Sequence, residues 1–150
     1  MEAELFVIRP MNKGDIPAVA EIEKECFSSP WSETGLINEL SNEQAHFFVL
    51  ETEETVAAYM GMHIVLDECY IANVAVKDQF RRKGFGKALV KNAVNSAEEK
   101  GCSFITLEVR KSNEKAISLY EKCGFENIGE RRNFYSAPIE NAVIMTRYFK

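Results

Sequence analysis

Residues 81–87 read Arg81-Arg82-Lys83-Gly84-Phe85-Gly86-Lys87. The segment before them, residues 68–76, is apolar on both faces, which predicts a central strand. The segment after them carries an apolar i, i+4 row from Phe85 to Ala97, which predicts a helix that begins at Gly84. A strand, a tight turn and a helix in this order predict a crossover connection. The strand that follows the helix, at residues 104–109, should therefore pair with residues 68–76 in parallel.

The glycines of this stretch fall on the first turn of the predicted helix. About four backbone N–H groups lack partners there, and the helix dipole favours an anion. Because Gly84 and Gly86 have no Cβ, a phosphate can approach those N–H groups closely, and the flanking cations add attraction. A Walker P-loop needs GxxxxGK[ST] and a dinucleotide-binding turn needs GxGxxG, and the stretch matches neither. It therefore predicts a pyrophosphate site of another kind, with a purely structural turn as the alternative.

Hydrophobic periodicity elsewhere predicts an α/β protein with a mixed sheet and the order β-α-α-β-β-β-α-β-α-β-β. Asp15 is a candidate N-cap for a helix ending near Phe27, and a second short helix opens at Trp31-Ser32. No linker divides the chain, so residues 1–150 are predicted to form a single domain. Helical periodicity marks residues 113–123, and the other predicted strands are residues 5–9, 46–51, 56–64, 128–134 and 142–148.

Composition narrows the class of protein further. The net charge of −5 opposes general binding to nucleic-acid phosphates but leaves room for a basic partner. The acidic start, residues 1–4, predicts no signal peptide, and no apolar run approaches the ~20 residues of a membrane-spanning helix. The four cysteines include no CxxC pair, and His46 and His63 share no metal-ligand spacing. We therefore predict a cytoplasmic protein with reduced thiols, no metal site, no direct nucleic-acid binding and no membrane contact.

A second group of polar residues lies after the crossover helix. Alternation along the strand places Glu108 on the face opposite its apolar neighbours, where a carboxylate is costly unless it is paired or functional. Asn113 and Tyr120 are seven residues apart, so they share one face of a helix and should face the same cleft. Each also has a structural interpretation. Glu108 can be the ion-pair partner of Arg110 or Arg132, Asn113 a helix cap, and Tyr120 a core residue.

Together with the glycine stretch, these residues resemble the GCN5-related N-acetyltransferase (GNAT) superfamily. Its acetyl-CoA loop has the form [RQ]-x-x-G-x-[GA], which here is Arg81, Gly84 and Gly86. Within the superfamily, the sequence is most similar to the RimI family, which acetylates the N-terminal alanine of a small-subunit ribosomal protein. The similarity covers nearly the whole chain. The stretches that carry it are residues 27–32, 73–76, 107–110, 112–113, 116–117, 119–125, 129, 131–133, 135 and 140–145.

The resemblance implies a GNAT fold with splayed central parallel strands and assigns roles by position. The proton acceptor falls on Glu108 and the proton donor on Tyr120. The family usually has two tyrosines after the Arg131-Arg132-Asn133 run, whereas here the first is Phe134, so that position offers no phenol. The residues that the resemblance assigns to acetyl-CoA are Val74, Ala75, Val76, Arg82, Lys83, Gly84, Phe85, Gly86, Lys87 and Asn113.

The implied activity is direct acetyl transfer from acetyl-CoA to the α-amine of a small-subunit ribosomal protein. That amine has a pKa of about 7.7–8.0 and is mostly protonated at neutral pH, so a general base is needed. Backbone N–H groups of residues 73–76 are placed to polarise the thioester carbonyl, and no cysteine nucleophile is required. Two other functions stay open: acetylation of a small amine or another protein N-terminus or lysine, and a CoA-binding sensor without activity.

The same resemblance suggests where the acceptor would lie. Its peptide is expected to enter beside the splayed strands, against a wall formed by Pro30-Trp31 and by Asn133 to Tyr135. Acidic residues of the second helix region are expected near the rim, where they would attract a basic protein. These acidic residues are Glu33, Glu39 and Glu43.

Overall fold

The computed structural model describes residues 5–149. Residues 1–4, on which the signal-peptide prediction rests, and Lys150 lie outside the described residues. Two short 3-10 turns, Lys13–Asp15 and Asp78–Phe80, were not predicted. The strands and helices in chain order are β1 (Val7–Pro10), α1 (Ile16–Cys26), α2 (Glu33–Leu40), β2 (Ala45–Thr52), β3 (Thr55–Val65), β4 (Glu68–Val76), α3 (Phe85–Glu99), β5 (Phe104–Arg110), α4 (Glu114–Lys122), β6 (Glu126–Tyr135) and β7 (Glu140–Tyr148).

The strands form one sheet in the order β1-β2-β3-β4-β5-β7-β6. Every neighbouring pair is antiparallel except β4 and β5, which are parallel. The α3 crossover therefore pairs its two strands as predicted, and β4 occupies the centre of the sheet. The predicted order of elements and the mixed α/β sheet are confirmed.

The two central strands separate soon after they meet. They pair only from Glu68–Phe104 to Tyr70–Thr106, after which β4 continues alongside β3 and β5 alongside β7. The register between β3 and β4 also shifts near Ala72, so β4 carries one extra residue there. A β-bulge bends its strand and re-aims the neighbouring groups. The sheet therefore opens between β4 and β5, which is the splay that the resemblance implied.

Helices cover the sheet on both faces. On one face α3 buries its predicted apolar row, from Phe85 to Ala97, against β3, β4 and β5. On the other face α1 and α2 pack over β2, β3 and Ala75 of β4.

The first strand begins later than predicted. Residues 5–9 alternate in hydrophobicity, but the paired strand is Val7–Pro10, and Leu5 is 89% exposed. Because β1 is an edge strand that pairs only with β2, its limits depend on the partner's register rather than on its own alternation.

The described residues contain no helix that is long and apolar enough to cross a membrane. Cys69, Cys102 and Cys123 are buried and Cys26 is half-buried, and all four are free thiols as predicted. His63 contacts Glu39, its Nε2 lying 2.8 Å from Oε2, which is a structural role.

Candidate active site

A cleft of about 580 Å³ opens where β4 and β5 separate. We call it the splay cleft. It brings together Glu108, Asn113, Tyr120 and Val74, four of the residues that the sequence singled out. Its lining consists of residues 23, 26–29 and 31 from α1 and the segment after it, 71–74 of β4, 107–110 of β5, 113, 116 and 120 around α4, and 134–136. A second hollow, of about 770 Å³, lies between the middle of α3, the end of α4 and the end of β7, and it contains none of the predicted site residues.

Glu108 lies on β5 with its side chain one-third exposed. Its Oε1 accepts a hydrogen bond from Arg131 Nε at 3.1 Å. The sequence suggested Arg110 or Arg132 as the partner, and both were wrong: Arg110 instead pairs with Glu140 at 3.3 Å. The pairings of β5 with β7 and of β7 with β6 decide which arginine reaches Glu108, and strand register cannot be read from one sequence.

Tyr120 lies on α4 and is only 8% exposed, yet it lines the cleft. Its ring packs against Phe125 at a centroid distance of 5.7 Å. Burial raises the pKa of the Tyr120 phenol well above its usual range, so the phenol is protonated at neutral pH and able to donate. The core interpretation and the cleft interpretation of this residue both hold.

Asn113 has two roles in the structure as well. Its Oδ1 accepts the N–H of Ala116 at 3.2 Å and so caps α4, while the residue lines the cleft beside Tyr120. A capping side chain that is bonded to its own helix is held in one orientation, so this bond holds the first turn of α4 in place beside the cleft.

The glycine stretch forms the turn into α3. Gly84 is the N-cap and has φ +80°, a left-handed conformation that favours glycine. The Phe85 side chain is buried in the core, so only its backbone can face a ligand. A Cβ on Gly86 would lie 3.7 Å from Val76 and from Leu119, which is ordinary contact distance. The exposed side chains of the stretch are those of Arg81, Arg82, Lys83 and Lys87.

The end of β4 leads from the cleft towards this turn. Val74 lines the cleft, whereas Ala75 points to the opposite face and is buried under α1. The Val76 carbonyl accepts a hydrogen bond from Arg81 Nε at 3.3 Å. Of these three residues, Ala75 can therefore offer a ligand only its backbone.

The aromatic residues of the predicted wall, Trp31, Phe134 and Tyr135, are in the lining, whereas Pro30 and Asn133 are not. Burial, together with the nearby charge of Glu108, raises the pKa of Tyr135. The acidic residues expected at the rim do not line the cleft, and Glu39 is bonded to His63 instead.

Sequence reasoning missed Glu23, a fully buried carboxylate that lines the cleft. Burial raises its pKa, although hydrogen bonds from Tyr59, Trp31 and Asn73 partly oppose that shift. A signal was available: Glu23 is four residues after Val19 and seven after Ile16, so it lies on the apolar face of α1. An acid on the buried face of a helix indicates a special role.

The splayed strands β4 and β5, the cleft between them and the glycine turn into α3 form the arrangement that the resemblance to the acetyltransferase superfamily implied. The chain belongs to the acetyltransferase (GNAT) family, whose profile matches residues 16–125. It is therefore an acetyl-CoA-dependent N-acetyltransferase, as the sequence predicted.

Two relatives extend over most of the chain. A Bacillus subtilis protein, named as a candidate ribosomal protein bS18-alanine N-acetyltransferase, is 40% identical over 92% of both chains. The Escherichia coli ribosomal protein bS18-alanine N-acetyltransferase is 34% identical over 92% of this chain and 94% of its own.

Solved structures agree with these relatives. The crystal structure of the Escherichia coli S18-alanine enzyme superposes with a TM-score of 0.88 over 96% of this chain and 94% of its own. The structure of Ard1 from Thermoplasma volcanium gives a TM-score of 0.87 at 27% identity, covering 97% of this chain and 98% of its own.

Proposed function

We propose that this enzyme acetylates the N-terminal α-amine of an alanine-initiated small-subunit ribosomal protein. The observation that carries the proposal is the splay cleft, which presents Glu108 and Tyr120 to one space beside aromatic walls suited to a short peptide. Relatives at 34% and 40% identity, named for alanine acetylation of ribosomal protein bS18, support the choice of acceptor. Such an acceptor places the enzyme in the cytoplasm.

Glu108 acts as the general base, directly or through one water. It removes a proton from the α-ammonium group, and the resulting amine nitrogen attacks the thioester carbonyl carbon. The extra proton that this nitrogen then carries is released to solvent as the amide forms. The hydrogen bond from Arg131 uses Oε1 and orients the carboxylate toward the cleft. Backbone N–H groups of β4 in residues 73–76 stabilise the negative charge that develops on the carbonyl oxygen.

Tyr120 acts as the general acid. As the C–S bond breaks, its hydroxyl donates a proton to the departing CoA thiolate, whose pKa is about 8.5 like that of other thiols. Its buried, protonated phenol is in the state that this step requires.

Acetyl-CoA lies with its pyrophosphate at the turn into α3 and its thioester in the splay cleft. The N–H groups of the first α3 turn, presented by the left-handed Gly84, supply donors for the phosphate oxygens. Arg82, Lys83 and Lys87 are exposed around that turn and add positive charge. Val74 and Asn113 contact the part of the co-substrate that lies inside the cleft.

Replacing Gly84 with Ala tests the pyrophosphate site. No atom lies within 4 Å of the position its Cβ would take, so the cost in the free protein is conformational: about 1 kcal/mol, or a Tm lower by roughly 2–4 °C. A shifted turn also loses one hydrogen bond to a charged phosphate of acetyl-CoA. Such a bond contributes about 1.5 kcal/mol to binding, so its loss corresponds to a roughly tenfold higher Kd for acetyl-CoA. Isothermal titration calorimetry measures that Kd.

Gly101 provides a matched control for this experiment. Its φ is +79°, and it too has open space around the position of a Cβ, but it lies beyond the other end of α3. Gly101→Ala should lower the Tm by a similar amount and leave acetyl-CoA binding unchanged. Equal affinities of the two variants would contradict the placement of the pyrophosphate.

A peptide panel tests the acceptor. An alanine side chain fits a closed position between the cleft walls, whereas Leu or Phe displaces the amine from attack distance. A displacement of about 1 Å can cost around 10²-fold in rate, so we expect kcat/KM to fall by about that factor when the first residue is Leu or Phe. Mass spectrometry of the products locates the acetyl group.

The same assay tests the two alternative kinds of acceptor, a small amine and a lysine side chain. Spermine and a peptide with a blocked N-terminus and an internal lysine represent a small amine and a lysine acceptor. A higher kcat/KM for either of them than for the alanine-initiated peptide would overturn the proposed acceptor. Binding of acetyl-CoA without turnover of any acceptor would favour a sensor.

A further inference from the structure

Glu23 of α1 is the most completely buried carboxylate among the described residues, at 0% exposure. Each of its oxygens is used. Oε1 accepts the backbone N–H of Trp31 at 2.8 Å. Oε2 accepts Asn73 Nδ2 at 2.9 Å and also the hydroxyl of Tyr59, whose oxygen in turn accepts Asn73 Nδ2 at 3.1 Å.

Two of the three partners of Glu23 belong to different walls of the splay cleft. Trp31 lies in the segment that follows α1 and forms the aromatic wall. Asn73 follows the bulge at Ala72, on the stretch of β4 that borders the cleft. Tyr59 of β3 is fully buried and completes the network through its bonds with Glu23 and Asn73. One carboxylate therefore links the segment after α1, the bulged stretch of β4 and the buried Tyr59 of β3.

The partners of residue 23 require it to accept hydrogen bonds at two separate atoms. The backbone N–H of Trp31 and the amide of Asn73 donate, and a carboxylate is the side chain of this size whose two oxygens both accept. A buried carboxylate held by neutral donors is costly, and an apolar residue would pack on the same helix face without that cost. The presence of a carboxylate here therefore indicates that its hydrogen bonds to Trp31 and Asn73 have a function that outweighs this cost.

We infer that Glu23 is a positioning residue that locks the Trp31 wall to the bulged stretch of β4 and so sets the width of the acceptor side of the cleft. The inference rests on the proposed function, because the peptide is what this width accommodates. Glu23 acts through Trp31 and Asn73, and its carboxylate takes no part in proton transfer.

Glu23→Gln separates this role from simple packing. Gln has the same shape but only one acceptor oxygen, so either Trp31 or Asn73 loses its bond. Trp31 is the single tryptophan of the chain and therefore reports on the wall directly. We expect its fluorescence emission to shift to longer wavelength and its quenching by acrylamide to increase, with no substrate present.

Val90→Ala is the matched control. Val90 of α3 is fully buried, lies outside the cleft lining and belongs to a different core cluster from the one that Trp31 packs against, so its truncation weakens packing away from the network. The control should lower the Tm and leave Trp31 emission unchanged. Because one of the two links is lost in Glu23→Gln, a folded variant that matches wild type in Trp31 emission, in quenching and in kcat/KM for the peptide would overturn the inference.

Kinetics give the second readout. For an alanine-initiated peptide, we expect Glu23→Gln to lower kcat/KM at least about tenfold, since loose positioning is costly for rate, while the Kd for acetyl-CoA stays near the wild-type value. If the wild-type enzyme turns over that peptide and the variant matches it, the inference fails and the proposed function stands. If the wild-type enzyme does not turn it over, the proposed function fails, and the fluorescence result still decides whether Glu23 holds the Trp31 wall.

Asn73→Ala keeps the test decisive if Glu23→Gln does not fold. It removes the bonds from β4 to the carboxylate and to the Tyr59 hydroxyl, and it leaves the Trp31 bond in place. We expect Trp31 emission to stay unchanged and kcat/KM for the peptide to fall about tenfold. A kcat/KM within twofold of wild type would overturn the role of Glu23 at the bulge.

Discussion

Replacing Glu108 with Gln is expected to lower kcat at pH 7 by about 10²–10⁴-fold, the usual contribution of a general base. Gln has nearly the same shape but cannot take up the proton of the acceptor ammonium group. The Kd for acetyl-CoA should stay close to wild type, because the turn at Gly84 is a separate part of the molecule. The lost ion pair with Arg131, whose side chain is 57% exposed, should cost at most about 1 kcal/mol of stability.

The pH dependence of this variant sharpens the test. As the pH rises through about 8, the acceptor amine loses its proton to solvent and needs the base less, so the deficit should narrow. Glu130→Gln is the control, because Glu130 is a carboxylate of β6 that pairs with Lys111 at 3.2 Å and lies outside the cleft lining. A Glu108→Gln enzyme with wild-type turnover at pH 7 would remove this residue from the mechanism.

Replacing Tyr120 with Phe should lower kcat by about 10²-fold, the low end of general acid catalysis. The effect is smaller than at Glu108, because a thiolate with a pKa near 8.5 can leave partly without protonation. The fold should change little, since Phe fills the same space and keeps the contact with Phe125. Steady-state kinetics and a thermal melt measure the two effects.

Burial adds a pH prediction for Tyr120. Because its phenol has a raised pKa, the wild-type enzyme should not lose this acid as the pH approaches about 10, where a free tyrosine ionises. Tyr148→Phe is the control, because Tyr148 is 62% exposed and lies at the end of β7. A Tyr120→Phe enzyme that matches wild type across the pH range would leave Tyr120 with a core role only.

Local sequence patterns predicted several features of the fold and of the candidate site. The strand, glycine turn and helix around residues 81–87 predicted the parallel crossover, because connection handedness and pairing follow from the order of the elements. The spacing of Asn113 and Tyr120 placed both on one face of α4, since helical period alone decides that relation. The conformational freedom of Gly84 was likewise readable, because only its missing Cβ matters.

Long-range geometry decided the rest. Arg131, rather than Arg110 or Arg132, reaches Glu108 because of strand register, which depends on pairing across β5, β7 and β6. The position of Glu23 on an apolar helix face was visible in the sequence, but its partners Trp31 and Asn73 were not. Those partners are 8 and 50 residues away along the chain, and contacts at such separations exist only once the sheet and α1 have packed together.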